Sequence, residues 1–290
     1  MEILRTIEEL RAWRRLHWSD TIGFVPTMGF LHEGHLTLMR KASELSDHVV
    51  VSVYVNPTQF GPNEDLDSYP RDMEGDIAKC ESVGVSAIFL PSNAMMYGDD
   101  FATTVEVDGG MGDNLCGASR EGHFNGVTLI VSKLFNLVQP DVAVFGQKDY
   151  QQLAIIRRMV KELNFPIDVV GVPTVRERDG LAKSSRNRYL EGEHRTNATV
   201  LYRALKASNE AWAAGERDAG ALLGVAQGVL DSVDGIAVDY LSLVDPEKLN
   251  LLEGTVEEAR GCVMALAVHV GKARLIDNMR LDGPLPELSV

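Results

Sequence analysis

Through residue 172 the chain alternates short, uninterrupted β-branched runs with segments of helical period, and this alternation restricts its fold more than any other feature. The runs are "TIGFVPT" from 21, "HVVVSVYV" from 48, "SAIFLP" from 86, "DVAVFG" from 141 and "IDVVGV" from 167. They are apolar throughout, as expected of parallel strands covered on both faces. Helices are predicted between them, at about 34–46, 72–83, 124–138 and 149–164. The last carries Leu153, Ile156, Met159, Val160 and Leu163 at helical spacing. The expectation is an α/β, doubly wound, Rossmann-like parallel sheet.

Beyond Pro173 the pattern changes. Two Ala-rich helices are predicted at roughly 193–214 and 217–233, then strands near 236–244 and 261–269. We expect a domain over 1–174 and a smaller α+β domain over 175–290.

In an open parallel sheet the ligand lies outside the carboxyl ends of the strands. That rule selects three loops: "PTMGFLHEGH" after the first strand, the long "NPTQFGPNEDLDSYPRD" after the second, and "GQKDYQQ" after the run at 141. A long loop in a compact domain is usually functional or mobile.

Composition narrows the chemistry. With 28 basic and 42 acidic residues the net charge is −14, which disfavours a nucleic-acid surface. No run approaches the ~18 apolar residues of a membrane span, and Cys80, Cys116 and Cys262 are scattered without a CxxC. Reduced thiols in a cytoplasmic protein are the expectation. One segment opposes the acidic trend. From 176 to 188, Arg176, Arg178, Lys183, Arg186 and Arg188 face only Glu177 and Asp179, which suits either a solvated basic loop or a site for a small anion.

His32 and His35 stand three apart, with Gly34 between them, after a strand and a glycine turn. A zinc-protease pair needs H-E-x-x-H, so a metal is disfavoured. Two readings remain: the histidines cap the coming helix, or they donate to phosphate at its positive end. Lys148, after Gly146, is placed to reach a phosphate; Asp149 either caps the next helix or holds ribose hydroxyls. Gln152 and Gln59 are amides able to fix a substrate hydroxyl or carboxylate. In "KSSRN", Lys183, Ser184, Ser185 and Arg186 supply several donors at once, the arginine with bidentate geometry.

Together these elements resemble the class I nucleotidyltransferase superfamily, with its H-x-G-H motif and basic, Ser-rich loop. The segments "VPTMGFLHEGH", "VSVYVNPTQFGPNEDLDSYPRD", "GASREGHFNGV", "FGQKDYQQL" and "DGLAKSSRNRYL" are similar, within it, to the pantothenate synthetase family. The resemblance implies a ligase that joins (R)-pantoate and β-alanine with ATP and Mg2+, through pantoyl adenylate, and acts as a homodimer.

It also implies an ATP site made of Pro26, Thr27, Met28, Gly29, Phe30, Leu31, His32, Glu33, Gly34 and His35, of Gly146, Gln147, Lys148 and Asp149, of Val175, and of Lys183 to Arg186. His35 matches the position usually assigned as proton donor. The expected catalytic groups are His35, His32, Lys148, Ser184, Ser185 and Arg186. Gln59 and Gln152 correspond to pantoate-binding positions, with Gln59 also near β-alanine. Asp76 is the candidate magnesium ligand, with Glu74 its neighbour and competitor.

The chain departs from that family's pattern at three places. Lys183 stands where Met or Leu is common and is similar to the lysine of the related tRNA-synthetase loop, and Cys116 and Asn125 replace an expected Glu and Arg. Arg120 and His123 keep the polar core of their motif. A rival reading is an adenylyltransferase acting on a phosphorylated vitamin precursor, which would need neither glutamine. A nucleotide-binding protein without activity is the other.

Overall fold

The computed structural model describes residues 1–62 and 64–288. Strands β1 (Glu2–Leu4), β2 (Ile22–Thr27), β3 (His48–Val53), β4 (Ala87–Phe89), β5 (Val142–Gly146) and β6 (Asp168–Val172) form one sheet in the order β1-β4-β3-β2-β5-β6. Every pair in it is parallel. Along the chain between these strands come the helices α1 (Ile7–Leu16), α2 (Glu33–Leu45), α3 (Met73–Ser82), α4 (Asn93–Met96), α5 (Cys116–Ser119), α6 (His123–Val138) and α7 (Tyr150–Glu162). Further along come α8 (Glu193–Asn197), α9 (Val200–Ala213), α10 (Ala219–Leu230) and the strands β7 (Ile236–Val244), β8 (Val263–Val270) and β9 (Ala273–Arg280). The last three make an antiparallel sheet. The doubly wound Rossmann-like fold with a smaller α+β part is therefore present. No described helix is long and apolar enough to cross a membrane.

By contact density the chain falls into two compact units: Met1–Asp108 with Arg120–Gln147 and Ile155–Val172, and Gly109–Ser119 with Lys148–Ala154 and Pro173–Val290.

In the first unit, chain order runs outward from β2 through β3 to β4 on one side and from β5 to β6 on the other. The direction of winding reverses between β2 and β5, and in open parallel sheets ligands bind at the carboxyl ends of the strands at such a point. "TMGFLHEGH" and "GQ" leave the sheet at this point. The strands are held dry from below by α6, apolar nearly all round, whose Phe135 ring lies 6.3 Å from Phe24 and 6.5 Å from Phe145. A helix buried on most faces needs no polar stripe.

Two edge elements escaped prediction. β1 is only three residues long, and α1 begins with a capping box in which the Thr6 side chain accepts from the Glu9 amide and Glu9 accepts from the Thr6 amide. In the second unit β9 was also missed, although its buried and half-buried residues alternate with strand period.

Candidate active site

The turn after β2 is built from the strand outward. Thr27 donates its hydroxyl to the Ser52 carbonyl (2.8 Å), and the same oxygen accepts from the Gly29 amide (3.2 Å). Gly29 and Phe30 then adopt left-handed backbone, with φ of 83° and 50°. For Phe30 that conformation is strained and needs an anchor. Asp76, from the first turn of α3, supplies one: Oδ2 accepts from the Phe30 amide (2.8 Å) and Oδ1 from the Leu31 amide (2.7 Å). A β-carbon at Gly29 would meet Asp76 Oδ2 and Val53 at 2.9 Å, so the turn also excludes a larger residue.

This placement does not fit Asp76 as a magnesium ligand. Its carboxylate is 1% exposed, both oxygens already hold backbone amides, and its nearest cation is Lys79, 4.0 Å away. Burial pushes its carboxyl above the ordinary range, although the Leu31 and Phe30 amides act against that shift. Its neighbour Glu74 is exposed on the surface of α3.

His32 is the N-cap of α2. Its Nδ1 accepts from the Gly34 amide (3.2 Å), while Nδ1 of His35 accepts from the His32 amide (3.3 Å). The two imidazoles thus form a capping box, with ring centroids 4.2 Å apart. Capping also settles the tautomer of each neutral ring. A neutral imidazole that accepts at Nδ1 carries its proton on Nε2, so each ring has an N–H donor on the side away from the helix.

Gln59 lies in the loop after β3 and meets this turn directly. Its amide nitrogen sits 3.2 Å from Met28 Sδ, and its Oε1 accepts from Asn56. Asn56, 1% exposed, also donates to the Gly126 carbonyl and accepts from the Tyr97 and Thr58 hydroxyls. From the other side His123 Nδ1 and Arg120 both contact the Gln59 carbonyl, at 2.7 and 3.3 Å, and Arg120 grips Glu64 with two bonds. Arg120 and His123 therefore fasten the loop that presents Gln59. Asn56 was not singled out in the sequence, although an Asn before Pro at a strand end is a turn signal.

Close approach at one glycine makes this possible. A β-carbon on Gly126 would fall 2.4 Å from the Thr58 carbonyl oxygen and 2.8 Å from the Gln59 amide nitrogen. Gly126→Ala must push the Pro57–Gln59 turn off α6, and should destabilise the fold by about 1–3 kcal/mol. Thermal unfolding measures that loss, and an unchanged midpoint would show that the turn yields freely.

The second unit carries the remaining candidates, organised by β9. Asp277 takes the buried Arg176 guanidinium in two bonds, 2.6 and 2.9 Å, and Asn278 next to it donates to the Lys148 carbonyl (2.8 Å). Consecutive residues of one strand thus hold the Lys148 stretch and the base of the 176–188 loop. Arg176 also corrects a reading of that loop: it is 1% exposed and spent internally, so the basic surface rests on the other four cations. Lys183 donates its amide to the Val175 carbonyl (2.9 Å), and its ammonium lies 3.6 Å from Glu177. Ser184 caps the 3-10 turn Ser185–Tyr189 by accepting from the Arg186 amide.

Two adjacent glutamines in α7 have different surroundings. Gln151 is buried, accepts from the Cys116 amide and donates to the Met111 and Asn114 carbonyls. Gln152 is half-buried and makes none of these internal bonds. Asp149 is exposed beside Lys148, 4.0 Å from its ammonium. Cys116, in place of the expected Glu, packs against the Tyr240 hydroxyl (3.4 Å) and the Arg274 guanidinium.

A family model described as pantoate–β-alanine ligase matches residues 2–280. The chain belongs to the pantoate–β-alanine ligase family. A pantothenate synthetase of Heliobacterium modesticaldum is 52% identical over 284 residues, covering 97% of this chain and 100% of the relative. The crystal structure of pantothenate synthetase from Thermus thermophilus superposes with a TM-score of 0.91 at 48% identity, covering 97% of this chain and 99% of that one. The pantoate–β-alanine ligase of Francisella tularensis, solved with β,γ-ATP and β-alanine, is 32% identical with a TM-score of 0.80, covering 98% and 99%. Membership in this ligase family makes the chain an enzyme.

Proposed function

We propose that this ligase condenses (R)-pantoate with β-alanine through pantoyl adenylate, giving pantothenate, AMP and pyrophosphate. The observation that carries the reading is the paired capping of His32 and His35, which turns both Nε2–H groups into donors beside the β2/β5 switch point. In the first step a pantoate carboxylate oxygen attacks the α-phosphorus and the bond to pyrophosphate breaks. His32 and His35 donate to phosphate oxygens as charge shifts onto the leaving group; Lys148 and Arg186 add positive charge, and the Ser184 and Ser185 hydroxyls add donors. No proton need reach pyrophosphate, so the histidines act as hydrogen-bond donors rather than as strong acids. In the second step the neutral amine of β-alanine attacks the acyl carbon, AMP leaves, and the amine loses a proton.

Pantoate is assigned to Gln152 and Gln59, with Gln59 also serving β-alanine, and adenine to the Val175 backbone. A homodimer in the cytoplasm is part of the same reading. Exchange of labelled pyrophosphate into ATP should require pantoate, and later addition of β-alanine should release AMP and pantothenate. Exchange that proceeds without pantoate would overturn the assignment. Gln152→Ala should raise the Michaelis constant for pantoate about 10-fold or more and leave that for ATP nearly unchanged, because a substrate polar group loses its partner. An unaltered pantoate constant would remove Gln152 from the site.

A further inference from the structure

At the opposite end of the parallel sheet, three side chains with metal-binding atoms converge. His17 caps the end of α1, Asp20 follows in the turn to β2, and His48 opens β3. His17 Nδ1 lies 2.9 Å from Asp20 Oδ2, His48 Nε2 lies 3.2 Å from the same oxygen, and all three atoms fall within 4.8 Å of one another. β3 runs for six residues, so roughly 16 Å of strand separates His48 from the carboxyl ends where the H-x-G-H turn stands. These residues therefore belong to no part of the proposed reaction.

We propose that His17, Asp20 and His48 form a binding site for a divalent transition cation of the zinc class, which clamps the α1–β2 turn to the start of β3.

The spacing suits such an ion. Tetrahedral zinc with nitrogen and oxygen ligands at about 2.0–2.1 Å places its ligand atoms roughly 3.3–3.4 Å apart, and two of the three edges are already 2.9 and 3.2 Å. Small outward movements admit the metal. Two imidazoles and one carboxylate are a donor set for zinc, cobalt, nickel or copper rather than for magnesium or calcium. The rings are held from behind, as metal-ligating histidines usually are. His48 Nδ1 lies 3.3 Å from Ser86 Oγ, which also accepts from the Val49 amide at 3.2 Å, so Nε2 is turned toward Asp20. The buried Trp13 ring backs both imidazoles, at centroid distances of 4.4 Å to His17 and 5.9 Å to His48. The three ligand side chains are between 25% and 36% exposed. An ion there keeps a fourth position open to water.

The test is titration of the purified full chain with Zn2+ alone, and with Co2+ followed by its d–d absorption. Expected are one equivalent bound per chain, loss of the cobalt spectrum on adding zinc, and affinity lowered about 10-fold or more by either His17→Gln or His48→Gln. Glutamine keeps an amide facing Asp20, so the fold survives the change. His194→Gln, in the second unit, should bind as the parent does. Zinc should also raise the melting temperature of the parent but not of the His17→Gln/His48→Gln double variant. Unchanged affinity in both single variants, or no saturation at one equivalent in the parent, would overturn the proposal.

Discussion

His35→Ala should slow adenylate formation by about 100- to 1,000-fold while ATP binding weakens only modestly. The magnitude is that of removing one preorganised donor from developing negative charge, about 2.7–4 kcal/mol. The gain lies in the transition state, so it appears in kcat more than in ground-state affinity. The side chain has a second role, because its Nδ1 accepts from the His32 amide. Losing a cap costs about 0.5–2 kcal/mol of stability, and that loss must be separated from the chemistry. His35→Gln does so. A glutamine at the third helical position can rebuild the capping box but does not place an N–H donor where the imidazole Nε2 stood. We expect His35→Gln to melt close to the parent and still be slow in pantoate-dependent pyrophosphate exchange. A fast His35→Gln enzyme would mean that the histidine serves the helix alone.

What could be read in advance depended on whether a signal was local. Continuous runs such as "HVVVSV" disclose buried parallel strands because every residue contributes independently to the pattern, and the loops at their carboxyl ends follow from topology. The histidine pair was legible as far as two readings, capping or phosphate; the structure shows the cap, and the phosphate role belongs to the proposed reaction. The bonds of Asp76 were not legible because its partners, the Phe30 and Leu31 amides, lie 46 and 45 residues away. Nothing near an acid in a helix reports that its oxygens will be spent on a distant strained turn. Gln151 and Gln152 are adjacent and identical in type, so only the fold separates the buried one that braces Cys116 from its half-buried neighbour. Charge alone also counted Arg176 with the exposed bases, because Asp277 comes 101 residues later. β1 and β9 were missed for different reasons. Three residues are too few to show a period, whereas "ARLIDNMR" has alternation that polar residues on its half-buried face obscured.

Arg176→Met should destabilise the second unit by about 3–5 kcal/mol, the effect of stranding one partner of a buried ion pair. Asp277 is 3% exposed, and after the substitution only the Asn278 amide would remain of the bonds described to its carboxylate. The arginine also donates to the Gly180 carbonyl (3.0 Å) and lies over the Tyr202 ring at 4.9 Å. That ring passes so close that a β-carbon on Gly180 would meet it at 1.9 Å. The hairpin carrying Ser184, Ser185 and Arg186 is therefore packed around a single guanidinium. On heating, the variant should melt roughly 10 °C below the parent. The double variant Arg176→Met/Asp277→Leu separates charge from packing. Replacing both members of a buried pair by apolar groups of similar size is often neutral or stabilising, so the double variant should recover most of the lost melting temperature. Recovery of stability need not restore catalysis. Without Asp277 the base of the loop loses its bidentate anchor, and turnover should stay below that of the parent while the melting temperature returns. If the double variant melts no higher than the single one, the hydrogen bonds and ring contact of Arg176, rather than the uncompensated carboxylate, hold this unit together.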